Sequence, residues 1–449
     1  MTDSHPTTTT PSIGGAPPRP GLPDRTPPIL RPFQAFAQME SSGGLLLMAA
    51  AVAALAWANS PWHAWYTALW HMPVTVGVGD WQLGLPVELW ISDGLMAVFF
   101  LLVGMEIKRE ALLGDLANPR QAALPVVAAV GGMAVPALLY VAVDPGSPGW
   151  GVPMATDIAF SLGVLALLGP RVPIGLKLFL TTLAIVDDIG AVLVIALFYT
   201  GALSWGYLLA GGAVLAGLVT LNRLDVRSPL AYACLGVALW LAFFRSGIHP
   251  TVAGVLLAMT IPARARIDAD AFVRQGRSIL DAFARGGGLG ADVDSSLDQQ
   301  AAVDALEAVC DHVQSPLQQL EHGLHPWVTF VILPLFALAN AGVRLVDAGA
   351  GLLDATSLGI IAGLVIGKPL GIALFSRLAV RLGWADLPAG VTWRHIGAVG
   401  CLAGIGFTMS LFIAHLAFEP TAVASARVGI LVASGIAGGL GWALLRSQR

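Results

Sequence analysis

The chain has 449 residues, of which 56% are hydrophobic and only 12% are charged, and its mean hydropathy is +0.75. Ordinary soluble domains carry about 25% charged residues, so the composition excludes a soluble globular protein and predicts a membrane protein. The net charge of −4 says little about partners, no nucleic acid is expected, and the isolated cysteines Cys234, Cys310 and Cys401 predict neither a disulfide framework nor a zinc site.

The chain begins with a tail, residues 1–42, that is rich in Pro, Thr and Gly. Residues 1–30 contain no apolar run, so they lack the hydrophobic region of a cleaved signal peptide. Because the tail has too little apolar surface to form a core, we expect it to be disordered.

Twelve apolar runs of 16 to 26 residues follow, and we assign each to a membrane-spanning helix, which needs about 20 residues. These predicted spans 1 to 12 cover residues 43–60, 88–107, 122–143, 152–169, 174–199, 204–222, 228–244, 247–262, 326–346, 355–380, 395–416 and 422–445. Spans 1–8 thus occupy residues 43–262, a long loop occupies 263–321, and residues 322–449 hold spans 9–12 and a short C-terminal tail. The predicted fold is an all-α polytopic membrane protein.

Basic residues predict the orientation of the spans. Of the 24 Lys and Arg residues, all but four fall on one side of this arrangement. The exceptions are Arg245, Arg344 and Arg427, assigned to outer loops, and Lys368, which lies within a span. By the positive-inside rule the basic side faces the cytoplasm, so both termini are predicted to be cytoplasmic in a cell membrane.

Two connections differ from simple turns. Residues 61–87 contain VTVGVGDWQL, in which alternating valines flank a Gly-Asp turn, and this pattern predicts an outer β-hairpin. An exposed edge strand of that hairpin could pair with a second subunit to form a homodimer. The loop 263–321 has more acidic than basic residues and a flexible GGGLG stretch, and its pattern predicts a short amphipathic helix near 299–313.

The most informative feature is a pair of adjacent acids, Asp187 and Asp188, inside span 5. A charged side chain at the bilayer centre costs at least about 2.5–3.5 kcal/mol, so such residues face a wet cavity and usually handle ions or protons. Lys368 in span 10 is the natural partner for one of them. The alternative interpretation is a buried ion pair that locks two helices, but one lysine cannot neutralise two acids.

Two spans carry interruptions near their centres. In span 4, Pro153 and the pair Thr156–Asp157 break the apolar run, and in span 11 Gly404, Gly406 and Thr408 do so. These spans are the middle members of the triplets 3–5 and 10–12. Matched interruptions of this kind predict inverted repeats whose half-helix ends meet at a binding site, although a glycine-containing span can also reflect close helix packing alone.

Several segments together resemble the bacterial NhaA-type sodium/proton antiporters, a family that is itself an example of inverted-repeat architecture. The matching segments recur in family order along nearly the whole membrane portion. They are DGLMAVFFLLVGMEIKRE (93–110), ATDIAFSLGVLALLG (155–169), LAIVDDIGAVLVIALFY (183–199), LEHGLHPWV (320–328), LPLFALANAGV (333–343), GKPLGI (367–372) and GIGFTMSLFI (404–413). The tail and the loop 263–321 are extra relative to the family.

The resemblance implies a dimeric inner-membrane exchanger that expels Na⁺ or Li⁺, imports H⁺ electrogenically, responds to pH and needs no cofactor. By position it implies that Asp188 and Asp187 bind the cation and protons near Thr156, that Lys368 pairs with Asp187, and that Asp157 belongs to the broken-helix crossing with Gly404 and Gly406. Asp93 would be accessory. The implied cytoplasmic-mouth and pH-response positions are Glu106, Arg109, Glu321, His322, His325 and His249.

Other interpretations remain open from the residues themselves. Glu106 and Arg109 could form an interfacial salt-bridge cluster, and Glu321 with His322 and His325 could simply open a helix. A sodium-coupled symporter of similar fold, a sensor that uses the long loop, and, last, an intramembrane hydrolase are the competing functions. The sequence contains no Walker-type loop, so it gives no indication of ATP use.

Overall fold

The computed structural model of the protein describes residues 42–78, 81–169, 172–264, 267–286, 297–344 and 351–448. The predicted N-terminal tail therefore lies outside the described residues. Within them, nine helices are long and apolar enough to cross a membrane, and two further bent helix pairs raise that number to eleven. A shorter apolar helix, Thr251–Thr260, corresponds to the remaining predicted span, span 8. The predicted polytopic helical fold is therefore confirmed.

The spans keep the numbers given above. In chain order they are Ser42–Ala58, Val87–Leu113, Pro119–Val143, Pro148–Ala166, Ile174–Phe198, Trp205–Arg223, Pro229–Ser246, Thr251–Thr260, Pro316–Asn340, Ala355–Arg381, Trp393–Ala403 with Phe407–Ala417, and Pro420–Ser447.

Local sequence explains where span 9 begins, ten residues before the predicted start. The Ser315 hydroxyl accepts a hydrogen bond from the Gln318 backbone amide, the Gln318 side chain returns to the Ser315 amide, and Pro316 occupies the first helical position. This capping box satisfies amides that a helix start leaves without partners. Glu321 therefore lies inside the helix rather than at the end of a loop.

The predicted hairpin is present as strands β1 (Pro73–Val78) and β2 (Trp81–Pro86), which pair antiparallel with Pro73 opposite Pro86. The Gly-Asp turn lies outside the described residues. A short helix, His63–Trp70, precedes β1 and is bent by 117° from span 1. We call this side of the molecule the hairpin end and the opposite side the basic end.

The long loop contains two helices, Ala269–Gly286 and Leu297–Val313, which pack against each other. The second confirms the amphipathic helix predicted near 299–313. The first was not predicted, although its apolar and charged residues alternate with strong helical periodicity. We call this pair the loop hairpin.

The spans pack as two groups. Spans 3, 4, 5, 10, 11 and 12 contact one another and form what we call the core group. Spans 1, 2, 6, 7, 8 and 9 form the scaffold group. Span 3 packs against span 10 and span 4 against span 11, so equivalent members of the two triplets meet. The groups approach closely where the backbones of Gly44 and Gly163 touch.

Three spans contain a π-helical turn: Trp90–Leu95 in span 2, Val328–Ile332 in span 9 and Ala362–Gly367 in span 10. The last two stand just before Pro334 and Pro369. A proline lacks the amide hydrogen and its ring clashes with the carbonyl four residues earlier, so the wider turn accommodates it. In span 10 this adjustment directly precedes Lys368.

Candidate ion-binding site

Both predicted helix breaks are present, and they cross at the centre of the core group. Span 4 runs as a 3₁₀ helix, Pro148–Met154, then as extended backbone, and then as an α-helix from Ile158. Span 11 breaks between Ala403 and Phe407, and its halves are inclined by 46°. Each break exposes backbone groups that need new partners in a dry interior.

The two breaks satisfy each other's backbone. The Asp157 amide donates to the Ile405 carbonyl at 2.7 Å. The Ser161 hydroxyl donates to the Leu402 carbonyl at 2.9 Å, and the Ser410 hydroxyl donates to the Val152 carbonyl at 2.8 Å. The two serine bonds are reciprocal, since each half-helix satisfies a carbonyl of the opposite break. The two half-helices thus make equivalent bonds to each other's break, as an inverted repeat predicts.

Asp157 holds the start of both half-helices. Its Oδ1 accepts from the Phe160 amide at 2.9 Å, which caps the second half of span 4. Its Oδ2 accepts from the Thr408 amide at 3.1 Å and from the Thr408 hydroxyl at 2.5 Å. A carboxylate is stabilised beside two helix N-termini, because each carries partial positive charge. Asp157 is therefore occupied as a structural anchor of the crossing.

The predicted glycines serve close approach rather than unusual backbone angles. Gly404 and Gly406 have φ of −68° and −88°. A Cβ on Gly404 would lie 2.4 Å from the Leu364 carbonyl oxygen, and one on Gly406 would lie 2.0 Å from Ser410 Oγ. Span 10 thus packs directly on the break in span 11.

We expect Gly404→Ala to lower the free energy of unfolding by about 1–3 kcal/mol, because the new methyl group overlaps backbone that cannot move freely. Gly397→Ala in the same helix is the matched control. No atom lies within 4 Å of the position that its new methyl group would take, and Ala is the better helix former. Thermal unfolding of the two detergent-purified variants checks this, and equal midpoints would contradict it.

Lys368 pairs with Asp187 rather than with Asp188. Lys368 Nζ lies 2.7 Å from Asp187 Oδ2, and both side chains are fully buried. The ammonium also donates to the Met154 carbonyl in the broken part of span 4. The Thr156 hydroxyl lies 2.6 Å from Asp187 Oδ2 and 2.9 Å from the Ala403 carbonyl, and its single proton can serve one of them at a time.

Asp188 lies beside this pair and is 2% exposed. Its Oδ1 and the Oδ1 of Asp187 are buried and have no hydrogen-bond partner. An unsatisfied buried polar atom is costly, and in a native structure it indicates an unplaced ion, water or proton. Two such carboxylate oxygens on adjacent residues provide the hard ligands that an alkali cation prefers.

Within the part of the chain that the structure describes, no group of three or more His, Cys, Asp or Glu side chains could hold a metal ion. The site instead combines two carboxylates, one ammonium and a hydroxyl. When both acids are ionised its net charge is −1, which one monovalent cation neutralises, whereas the two carboxylates together can take up two protons.

Comparison with known proteins identifies the family of the chain. The family model for Na⁺/H⁺ antiporter 1 matches residues 34–445. The chain belongs to this antiporter family. The Na⁺/H⁺ antiporter NhaA of Oleidesulfovibrio alaskensis is 51% identical over 423 residues, which cover 93% of this chain and 94% of that protein.

Two further relatives have the same name and similar coverage. NhaA of Koribacter versatilis is 49% identical over 93% of this chain and 91% of its own, and NhaA of Rhodospirillum rubrum is 47% identical over 94% and 98%. Among solved structures, the sodium proton antiporter MjNhaP1 of Methanocaldococcus jannaschii aligns with 93% of this chain and 99% of its own at 12% identity and a TM-score of 0.43.

In this member of the antiporter family, the predicted accessory acid Asp93 lies in the π-helical turn of span 2 and is buried. Its Oδ1 is 3.5 Å from His249 Nε2, while His249 Nδ1 is 2.8 Å from the Thr251 hydroxyl. The sequence grouped His249 with the cytoplasmic mouth, but its contacts here are with Asp93 and Thr251. His249 precedes the first residue of the short span 8. The other end of this span, next to Ile261, is the end that lies at the basic end of the molecule.

The basic end brings together three of the predicted mouth residues. Arg109 Nη1 lies 2.5 Å from Glu321 Oε1, which joins spans 2 and 9, and Glu321 is 6% exposed. Glu106 lies three residues before Arg109 in the same helix and is half-buried. Of these three residues, Arg109 and Glu321 are in direct contact.

His322 and His325 are both exposed at this end of span 9. His322 Nδ1 lies 2.8 Å from the Gln318 carbonyl of its own helix. His325 lies within electrostatic range of Glu321 and Arg109. The two histidines thus border the Arg109–Glu321 pair from the solvent side.

Sequence reasoning missed Ser161, Ser410 and the role of Lys108. The two serines occur in similar contexts, FSLG and MSLF, shortly after each break, and this repeat was the available signal. Lys108 Nζ donates to the Met259 carbonyl at 2.7 Å and the Ile261 carbonyl at 2.5 Å, and so caps the end of span 8. Nothing in the sequence spacing indicates that contact.

Proposed function

We propose that this protein exchanges Na⁺ or Li⁺ for H⁺ across a bacterial cell membrane at the site of Asp187 and Asp188. The observation that carries the proposal is the pair of buried carboxylate oxygens without partners, beside a lysine that neutralises only one of the two acids. Family membership and the names of the NhaA relatives support the same activity.

The mechanism is competition for one site. With both acids ionised, the two free Oδ1 atoms and the Thr156 hydroxyl bind a desolvated cation and neutralise the site. Protons that load the carboxylates displace the cation, and the protonated site returns. Because more than one group accepts a proton in place of a single cation, exchange moves net charge. Coupling needs no further cofactor, since proton and cation exclude each other.

Alternating access uses the two helix groups. The core group carries both broken helices, Asp187, Asp188 and Lys368, and it moves against the scaffold group to expose the site to one side at a time. We place the basic end and both termini in the cytoplasm, by the distribution of Lys and Arg. We assign the pH response to the Arg109–Glu321 pair at that end and to His322 and His325 of span 9.

The β-hairpin supports a homodimer. Strands β1 and β2 form a two-stranded sheet in the described residues, so each strand has one edge whose backbone groups do not pair within that sheet. Pairing of these edges between two copies would extend the sheet. We therefore propose that residues 61–87 of two subunits associate.

The direct test is exchange in liposomes. Purified protein is reconstituted with a preset proton gradient and an internal pH dye, and Na⁺, Li⁺ or K⁺ is added. We expect Na⁺ and Li⁺ to change the internal pH, and valinomycin with K⁺ to accelerate an electrogenic reaction by dissipating the membrane potential. The assay covers about pH 6.5 to 9, a range that begins at the ordinary histidine pKa. If no cation gives a response anywhere in this range, the proposal is overturned in favour of a symporter or sensor.

Deleting the loop hairpin separates a transporter from a sensor. The Leu317 amide donates to the Pro262 carbonyl at 3.2 Å, so the ends of the loop are adjacent and a short linker can replace residues 267–313. The deletion keeps Ser315 and its helix cap. We expect exchange in liposomes within about twofold of the full chain, because loop changes cost little when the ends already meet. Complete loss of exchange in a folded protein would favour the sensor.

A further inference from the structure

Arg427 joins three spans at the hairpin end. Its Nη2 lies 2.7 Å from Glu88 Oε1 and donates to Asn340 Oδ1 at 3.3 Å. The side chains of Arg427 and Glu88 are 20% and 14% exposed, and Asn340 is fully buried. The sequence counted Arg427 on the outer side, and it lies within the helix of span 12, inside the predicted bounds 422–445. We call these three residues the outer triad.

The outer triad connects the two helix groups. Glu88 begins span 2, immediately after β2, and Asn340 ends span 9, so both belong to the scaffold group. Arg427 belongs to span 12 and hence to the core group. By contrast, the Arg109–Glu321 pair at the basic end joins spans 2 and 9 within the scaffold group. The outer triad thus links the core group to the scaffold group, and these two groups must move relative to each other in the proposed transport cycle.

A cavity of about 660 Å³ lies in front of the outer triad. Residues of both groups line it, among them Ala339 from the scaffold group and Ser425 from the core group, together with Tyr66 of the short helix after span 1 and Asp354 just before span 10. Glu88 and Arg427 also line the cavity, so the ion pair faces it.

We propose that the outer triad is the outer gate: its charge-assisted bonds hold the hairpin end closed and break each time the site opens to that side. The inference rests on the proposed alternating access. An ion pair between a partly buried arginine and a carboxylate, supported by a hydrogen bond to an amide oxygen, is stronger than an ion pair on the surface. The reason is that it is partly shielded from solvent. Separation of the groups cannot occur without breaking these bonds.

Cross-linking tests whether the gate must open. Cysteines replace Glu88 and Arg427 in a chain whose Cys234, Cys310 and Cys401 are changed to Ser, and a short bis-methanethiosulfonate joins them. We expect the cross-link to abolish liposome exchange and dithiothreitol to restore it. The matched control joins Asp144→Cys and Thr356→Cys, whose native side chains are 2.9 Å apart within the core group, and it should keep exchange.

Exchange that continues in the cross-linked Glu88–Arg427 variant would overturn the gate while leaving the proposed function intact. Failure of the proposed function would instead appear as no exchange in the same variant before cross-linking and in the native chain. The two failures are therefore distinguishable in one set of vesicles.

Accessibility gives a second, independent test. Ala337→Cys, in the same cysteine-free chain, reports on the interior of span 9 beyond the triad when an impermeant methanethiosulfonate is added from the hairpin end, because Ala337 is fully buried and does not line the cavity. We expect Glu88→Gln to increase its labelling rate roughly tenfold, since a charge-assisted bond is worth about that factor. Asp354→Asn removes one charge from the same cavity without touching the triad and should leave the rate unchanged. Equal rates for Glu88→Gln and Asp354→Asn would contradict the gate.

Discussion

Replacing Asp188 by Asn is expected to abolish cation/proton exchange, with a loss of at least about a hundredfold in rate. The substitution removes the only charge of the site that Lys368 does not already balance, so a desolvated cation would remain uncompensated in a buried position. Unpaired buried charges cost several kcal/mol, which corresponds to this factor or more. The measurement is the internal pH change of liposomes after addition of Na⁺ or Li⁺.

The structure predicts that this variant folds. Asn has the shape of Asp, and the buried Oδ1 of Asp188 has no hydrogen-bond partner to lose. Asp225→Asn is a matched control, because it makes the same chemical change in an exposed ion pair with Arg227 in the connection between spans 6 and 7. Retention of more than about a tenth of wild-type exchange by a folded Asp188→Asn protein would place the site elsewhere, since an essential charge is worth more than about 1.4 kcal/mol.

The second large effect is expected on stability. Lys368→Met removes the ammonium 2.7 Å from Asp187 Oδ2 and leaves a fully buried carboxylate without a counter-charge. It also removes the donor to the Met154 carbonyl. Breaking a buried ion pair from one side typically costs about 3–5 kcal/mol. We expect a loss of this size in the free energy of unfolding, measured by thermal or denaturant unfolding in detergent.

Two comparisons identify the cause of that loss. The double variant Asp187→Asn/Lys368→Met should recover most of it, because the carboxylate that lost its counter-charge is then neutral, while Asp188 is the same in both variants. Lys108→Met makes the same substitution where the ammonium donates to the Met259 and Ile261 carbonyls, and it should cost about 1–2 kcal/mol. A double variant as unstable as Lys368→Met alone would show that lost packing, rather than the stranded carboxylate, dominates.

These two predictions separate transport from architecture. Asp188 has an unpartnered oxygen and is expected to matter for exchange, whereas the Lys368–Asp187 pair also joins span 10 to span 5. Asp157 represents the other extreme, since both its oxygens accept bonds from the half-helix starts. The three buried aspartates therefore differ in their hydrogen-bond partners, and this difference predicts different roles for them.

The sequence predicted the helical architecture well because the relevant signals are local. Long apolar runs must be helical in a bilayer, where every backbone group needs an internal partner. Pro153 and the glycines of span 11 interrupt that pattern where the structure breaks. Span 8 was less predictable, since its apolar run 247–262 includes Gly247, at φ +90°, and Pro250, so that only Thr251–Thr260 remains helical.

Of the two helices in the loop 263–321, only one was predicted from the sequence. The helix Leu297–Val313 was expected, but its partner Ala269–Gly286 was not, because an arginine-containing segment beside a glycine stretch resembles an unstructured linker. Ala302 and Val309 are buried in this pair of helices, whereas Val273 and Leu280 remain exposed. The early start of span 9 was readable from the Ser315–Gln318 capping box.

The sequence by itself determined that this chain crosses a membrane, where its helices break, and that Asp187, Asp188 and Lys368 are the charges of interest. The family resemblance already implied that Lys368 pairs with Asp187. Only the tertiary structure decided which carboxylate oxygens stay free, because the rotation of each helix is set by its packing. The same holds for the outer triad, since Glu88 and Arg427 are 339 positions apart. Contacts between distant helices depend on the whole packing arrangement, and no local pattern encodes them.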